Sequence, residues 1–152
     1  MGIRIDMDME GERVLSRNLR VMADNISDYS PVMEHIGEDI KASTLSNFDT
    51  ESSEREGRWA DLKPETIRQK RRQWYTGWKL VRTWKMKRGF EYEHDSLSVR
   101  IKNDVEYFRF HQRGTPHLPR RMMMELKRQD RQEIIRRIQN YIYKQSRTFR
   151  RY

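Results

Sequence analysis

The chain of 152 residues has no cysteine. Disulfides, thiolate metal sites and cysteine nucleophiles are therefore excluded. Apolar residues are also scarce. They make up 35% of the chain, and charged residues reach 36%, against usual shares of roughly 45–50% and about 25%. A chain of this length forms one domain with a thin core. It still carries nine methionines, four tryptophans, seven tyrosines and five phenylalanines, which predicts apolar surface completed by other subunits. The expected organisation is a single domain over 1–146 with an extended loop at 49–63, then a basic tail at 147–152. No apolar run reaches the ~20 residues of a membrane span, so no membrane partner is expected. The opening MGIRID is charged without an apolar stretch behind it, which predicts no secretory leader. Asp6 stands where N-myristoylation takes Ser or Thr.

Catalytic signatures are few. There is no Gly-rich phosphate loop and no serine in a nucleophile elbow. The four histidines are His35, His94, His111 and His117. The last two flank HQRGTPH with no acid between them, whereas zinc sites draw three or four ligands at closer, rigid spacing. Asp95, Asp104 and Glu106 are candidate magnesium ligands for a nuclease. The alternation of EYEHD accounts for the first of these as an exposed strand face. The expectation is no enzyme, no cofactor and no metal.

The net charge of +9 hides a division. Residues 1–66 hold eight bases and fifteen acids, and residues 67–152 hold twenty-four bases and eight acids. The two halves predict two electrostatic faces, one for a polyanion and one for a basic partner or the next copy. From Arg68 to Arg88 the chain has no acid. It carries Arg68, Lys70, Arg71, Arg72, Lys79, Arg82, Lys85, Lys87 and Arg88, interleaved with Trp74, Tyr75, Trp78 and Trp84. Bases follow phosphates and rings stack on unpaired bases, so this segment is the candidate polyanion-facing set.

Periodicity predicts an α+β fold. IRIDMD (3–8) alternates as a strand, and Val14, Leu15, Leu19 and Met22 recur at helical spacing over 11–24. A second helix begins with Ser30 as N-cap and Pro31 in its first turn. It carries Val32, Met33, Ile36, Ile40 and Thr44 on one face and ends at Phe48. Pro64 opens a third helix, and Leu80, Val81, Trp84 and Met86 suggest a short fourth. Residues 90–103 read as a hairpin turning at HDS, with Leu97, Val99 and Ile101 alternating on its second strand. A helix capped by Asp104 and closed by Gly114 follows. RRMMMEL is a helix or a short strand over 120–125. The last helix has its stripe at Ile134, Ile135, Ile138, Tyr141 and Ile142. The sum is a small antiparallel sheet with several helices packed on it and a long C-terminal helix.

One tryptophan is out of place. Trp59 sits in the polar loop of EGRWADLKPETIRQKRR, where it anchors the loop, stacks on a base or awaits a partner. Around it stand Gly57, Leu62, Lys63, Thr66 and Lys70. Further on come FHQRG, Phe110 to Gly114, preceded by Tyr107, and then Pro119 and Arg121 before MMMEL, Asp130 and the Ile134–Ile142 stripe. In this order the segments resemble the phage virion morphogenesis family, the tail-completion proteins of tailed bacteriophages, over almost the whole chain. The chain departs from the family at LVRTWKM, where Trp84 replaces a glycine. It also has Glu125-Leu126 where a Gly-Leu turn is usual.

The resemblance implies a structural virion protein, a ring component of the neck joining tail to DNA-filled head, assembled in the host cytoplasm. Its partners would be itself, commonly as a hexamer, and the neighbouring neck, portal-side and tail-terminator proteins, with non-specific contact to genomic DNA in the lumen. It implies a loop anchor at Gly57, Trp59, Leu62 and Thr66. It implies a subunit or neck interface at Phe110, His111, Gln112, Gly114, Pro119, Arg120 and Arg121. The competing reading is a non-specific nucleic-acid-binding protein using residues 68–88.

Overall fold

Three strands build the main sheet. β1 is Gly2–Asp6, β4 is Phe90–His94 and β5 is Ser98–Asn103. The computed structural model describes residues 2–6, 28–75 and 77–149, with backbone alone at 2–6 and 146–149. The helix expected over 11–24 lies outside the described residues. The sheet is antiparallel in the order β1-β5-β4. Its register pairs Ile3 and Tyr92 with Ile101 from either side. Asp95 sets the hairpin: its Oδ1 accepts the N–H groups of Leu97 and Ser98 at 2.8 and 2.7 Å, and its Oδ2 accepts the Ser98 hydroxyl. Leu97 therefore falls in the turn and is exposed, not on the apolar face with Val99 and Ile101.

Helix α1, Ser30–Thr50, lies across β4 and β5 and buries Val32, Met33, Ile36, Ile40, Thr44 and Phe48. Gly37 permits the approach, because a Cβ there would fall 2.4 Å from the Tyr92 ring. Ser30 is not the N-cap. It is the first helical residue, Tyr29 holds the cap position, and Asp28 accepts the Ser30 N–H at 2.8 Å. Hydrogen bonding by the Ser30 side chain, and then by its N–H, holds the Asp28 carboxyl below its usual range.

The helix runs two residues into the expected 49–63 loop, and the rest of that loop is partly ordered. β2, Ser52–Ser53, pairs with β3, Gly57–Arg58. The next residue, Trp59, drops into the core and is 3% exposed. Its ring meets Phe48 edge-on at 5.5 Å. Phe48 meets Phe90 at 5.9 Å, and Phe90 meets Phe108 at 5.4 Å. This edge-to-face chain, the arrangement that ring quadrupoles favour, ties the loop, α1, the sheet and the 108–113 helix into one core.

Four further helices follow in order: α2 Pro64–Arg72, α3 Lys85–Arg88, α4 Phe108–Arg113 and α5 Arg128–Phe149. The expected helix around Leu80–Met86 shrinks to α3, since Leu80 and Trp84 have φ of 57° and 63°, outside helical space. Asp104 does not cap α4. Asn103 Oδ1 accepts the Val105 N–H at 3.1 Å, an Asx turn, and α4 begins only at Phe108. In α5, Ile142 is fully buried, and Ile134, Ile138 and Tyr141 pack against the core. The Asp130 carboxylate accepts the Lys127 N–H at 3.0 Å and so closes the start of α5, as in one half of a capping box.

The 120–125 segment is not a strand. It is extended and buried from Arg121 to Glu125, yet it pairs with no strand. Side chains satisfy its backbone instead. Asn47 Nδ2 donates to Met123 O at 2.9 Å, and Trp59 Nε1 donates to Met122 O at 3.0 Å. Gln112 Nε2 donates to Met124 O at 2.7 Å, while its Oε1 accepts the N–H groups of Met123 and Met124 at 2.8 and 3.0 Å. Buried backbone groups need partners, and a primary amide offers the same donor and acceptor as a neighbouring strand.

A candidate interface groove

An open groove of about 860 Å³ lies between the start of α2, residues 80–86, and the turn after α4. Its apolar lining comes from Leu62, Leu80, Val81, Trp84, Tyr107 and Leu118. Tyr107 and Leu118 are 42% and 39% exposed, so the groove has no cover within the described residues. The rim carries Lys63, Arg82 and Lys85 against a single acid, Asp61.

The three sequence motifs converge here. Leu62, Thr66 and Lys70 come from the first, Tyr107 and His111 from the second, and Pro119 and Arg121 from the third. Lys70 forms part of the floor. It is 8% exposed, and its ammonium donates to the carbonyls of Trp78 and Val81 at 2.5 and 2.8 Å. Burial lowers its pKa, and Arg82 adds to that while Glu51 opposes it. Arg121 is buried too, with Nε and Nη2 donating to Ala60 O at 3.1 and 3.0 Å. His111 accepts the Arg121 N–H through its carbonyl at 2.8 Å. Burial, then the Arg121 charge, pushes its imidazole below the ordinary range.

The backbone around the groove is strained. Trp74, Leu80 and Trp84 have φ of 58°, 57° and 63°, a region that costs bulky residues of order 1–2 kcal/mol each. Leu80 and Trp84 line the groove, and Trp74 precedes Tyr75, which also lines it. Trp84 is held there by Trp78, 6.5 Å away ring to ring, and by the Lys87 ammonium 5.6 Å from its centroid.

Several expected surface residues work inside the chain's own fold. Lys70 and Lys79 are not polyanion-facing. Lys79 is 4% exposed and pairs with Glu51 and Asp61 at 3.2 and 3.0 Å, an arrangement that holds the Asp61 carboxyl below its usual range. Lys87 pairs with Asp49. Gln112 and Arg121 are buried supports of the 121–125 segment and of residues 60–61, not exposed interface residues. Gly114 has φ 76°, and a Cβ there would lie 3.0–3.2 Å from Arg120, so this tight turn needs glycine.

Other members of the predicted sets remain at the surface. Arg120 pairs with Glu56 at 2.8 Å. Phe110 is exposed beneath the Arg109 guanidinium, 4.8 Å from its ring. Gly57 opens the exposed strand β3. Arg68, Arg71, Arg72, Arg82, Lys85 and Arg88 are exposed. Trp59 is a loop anchor by position, since a ring buried this fully has no face left for a base. Leu80, Tyr107 and Leu118 were absent from the expected interface set. Their signal was an apolar residue in a polar turn, which single-sequence periodicity does not weigh. Among the described residues, no three His, Asp or Glu side chains gather as metal ligands.

The family model for phage virion morphogenesis matches residues 10–143. The chain belongs to that family. This makes it a structural or assembly protein of a bacteriophage virion. The match spans the ribbon, the groove and most of α5, so the motif residues that meet at the groove all lie within it. Neither the comparison with curated proteins nor that with solved structures finds a match. No described helix is long and apolar enough to cross a membrane.

Proposed function

We propose that the chain is a tail-completion component of the phage neck, acting as a closed ring that joins the tail to the DNA-filled head. In this reading part of the next copy seats in the groove, and six copies close the ring. The observation that carries it is the convergence of all three family motifs on one uncovered apolar groove. A Leu or Tyr half out of water in such a groove gains on the order of 1–2 kcal/mol when a partner covers it.

Charge favours a second copy as the occupant. The rim is basic, and the chain's first 66 residues carry fifteen acids against eight bases. Glu34 and Glu38 of α1 stand exposed and close enough to raise the Tyr92 pKa alongside its burial. Ring interfaces are heterologous, one patch meeting a different patch on the next copy, and an acidic face against a basic groove meets that condition. The remaining ring surfaces would contact the portal-side and tail-terminator neighbours. Such a protein works by joining, without turnover.

Mass photometry and negative-stain microscopy of the purified chain, alone and with its neck neighbours, test this. The wild type should form closed rings in at least one of these conditions. Leu118→Glu should remain folded by circular dichroism, since Leu118 is exposed, and should lose the ring. A wild type that stays monomeric with every neighbour would sink the proposal, as would a Leu118→Glu variant that still closes.

A further inference from the structure

Helix α2 carries bases at 68, 70, 71 and 72. Lys70 turns into the groove floor, which leaves Arg68, Arg71 and Arg72 exposed on the helix. Their spacing of three and four residues places them on one helical face, within ~6 Å of axial rise. Among the described residues none of the three is joined to a carboxylate. Glu65, the one acid in the helix, lies in its first turn, where it complements the positive end of the dipole.

Directly past the helix stands Trp74. It is 96% exposed, the most open large apolar side chain among the described residues, and has φ 58°. Its N–H donates to Arg71 O at 3.2 Å, and the Tyr75 N–H donates to Lys70 O at 3.0 Å, so the backbone fixes it at the helix end. A fourth guanidinium contacts the two sequence neighbours of Trp74. Arg82 lies 5.1 Å from the Tyr75 ring centroid and donates to Gln73 Oε1 at 2.6 Å.

We infer that Arg68, Arg71, Arg72, Arg82 and Trp74 form a binding face for single-stranded nucleic acid. Guanidinium forks match phosphate geometry, and an exposed indole offers a stacking platform for an unpaired base without reading its sequence. A protein partner fits less well. Protein hot spots also use Trp and Arg, but residues 68–82 hold no acid, so the groups around this indole are the cationic ones that phosphates match. Duplex ends and gaps present such unpaired bases, whereas an intact duplex hides them. The face meets the groove only at Arg82 on its rim, and the inference does not rest on ring formation.

The test is fluorescence anisotropy of the full chain with fluorescein-labelled dT20 and with a duplex of equal length, between 50 and 200 mM salt. The wild type should bind dT20 more tightly than duplex, with a log–log salt slope of roughly −2 to −3 for three to four phosphate contacts. Changing Arg68, Arg71 and Arg72 together to alanine should cut affinity about tenfold or more and flatten the slope by about 2. Trp74→Ala should weaken dT20 binding about tenfold and leave the duplex affinity and the slope unchanged. All these side chains are exposed, so the variants should keep the wild-type circular dichroism. Absence of binding at 50 mM salt overturns the inference. So does duplex preference with a silent Trp74→Ala. The same holds if the arginine variant binds normally but loses self-association, which would assign the face to a protein partner. Leu118→Glu should still bind dT20, which separates this outcome from that of the ring.

Discussion

The indole N–H of Trp59 donates to the carbonyl of Met122 at 3.0 Å, across 63 residues of sequence. This bond joins the polar loop to the buried 121–125 segment at the point where both enter the core. Arg121, which donates to the carbonyls of Ala60 and Asp61, and Lys79, which pairs with Asp61, add to this anchor, and together they place the groove wall at Asp61 and Leu62.

Replacing Trp59 by Phe keeps most of the apolar contact with Phe48 but leaves Met122 O buried without its donor. That should cost about 1–3 kcal/mol, read from urea unfolding. Trp59→Ala adds a cavity and should cost about 3–5 kcal/mol. A Phe variant as stable as wild type would show that the indole bond contributes nothing.

Gln112 gives a sharper case. Its amide serves Met123 N, Met124 N and Met124 O. Gln112→Leu fills similar space while orphaning three buried backbone groups. At about 1–3 kcal/mol each, the loss should exceed 3 kcal/mol and rival that of Trp59→Ala. Thermal melts of the two variants side by side check the ranking.

The contrast between these segments explains what the sequence disclosed. The hairpin, α1 and α5 follow periods of two and 3.6, and most of their buried apolar residues stand at the expected positions, Leu97 in the hairpin turn excepted. The 121–125 segment could not be read that way. An extended stretch satisfied by Asn47, Trp59 and Gln112 needs partners far away in sequence, and a short apolar run is silent on whether its partner is a strand or a side chain. The basic segment misled for a related reason. Lys70 and Lys79 are written like their exposed neighbours, and only the carbonyls and carboxylates that the fold brings to them turn them inward. Trp84 fits the spacing of a short helix, yet it stands where the resemblance places a glycine, and there the backbone takes positive φ.

That substitution can be tested by its own logic. Trp84→Gly loses half-buried ring contact, on the order of 1–2 kcal/mol, and recovers a similar amount of left-handed strain. Its stability should lie close to wild type. Trp84→Ala loses the same contact while keeping the strained φ, so it should be less stable than the glycine variant by about 1 kcal/mol. Chemical denaturation of the three proteins decides it. An alanine variant at least as stable as the glycine one would mean the strain is small.

Acidification should act through His111. Its folded pKa is lowered by burial and by the Arg121 charge, whereas the unfolded imidazole titrates near 6.5. Above that value both states are neutral, and His111 adds no pH dependence. As pH falls below it, the unfolded chain takes up a proton that the folded chain resists. Stability contributed by the neutral ring is thus lost downward from about pH 6.5, with a slope of at most ~1.4 kcal/mol per pH unit. Carboxylates held low, such as Asp61 and Glu93, lose their contribution in a lower window. The midpoint of thermal unfolding should therefore begin to fall between pH 6.5 and 5. His111→Asn, which cannot titrate, should flatten that interval. If the two proteins lose stability in parallel from pH 7 to 5, His111 is not the group responsible.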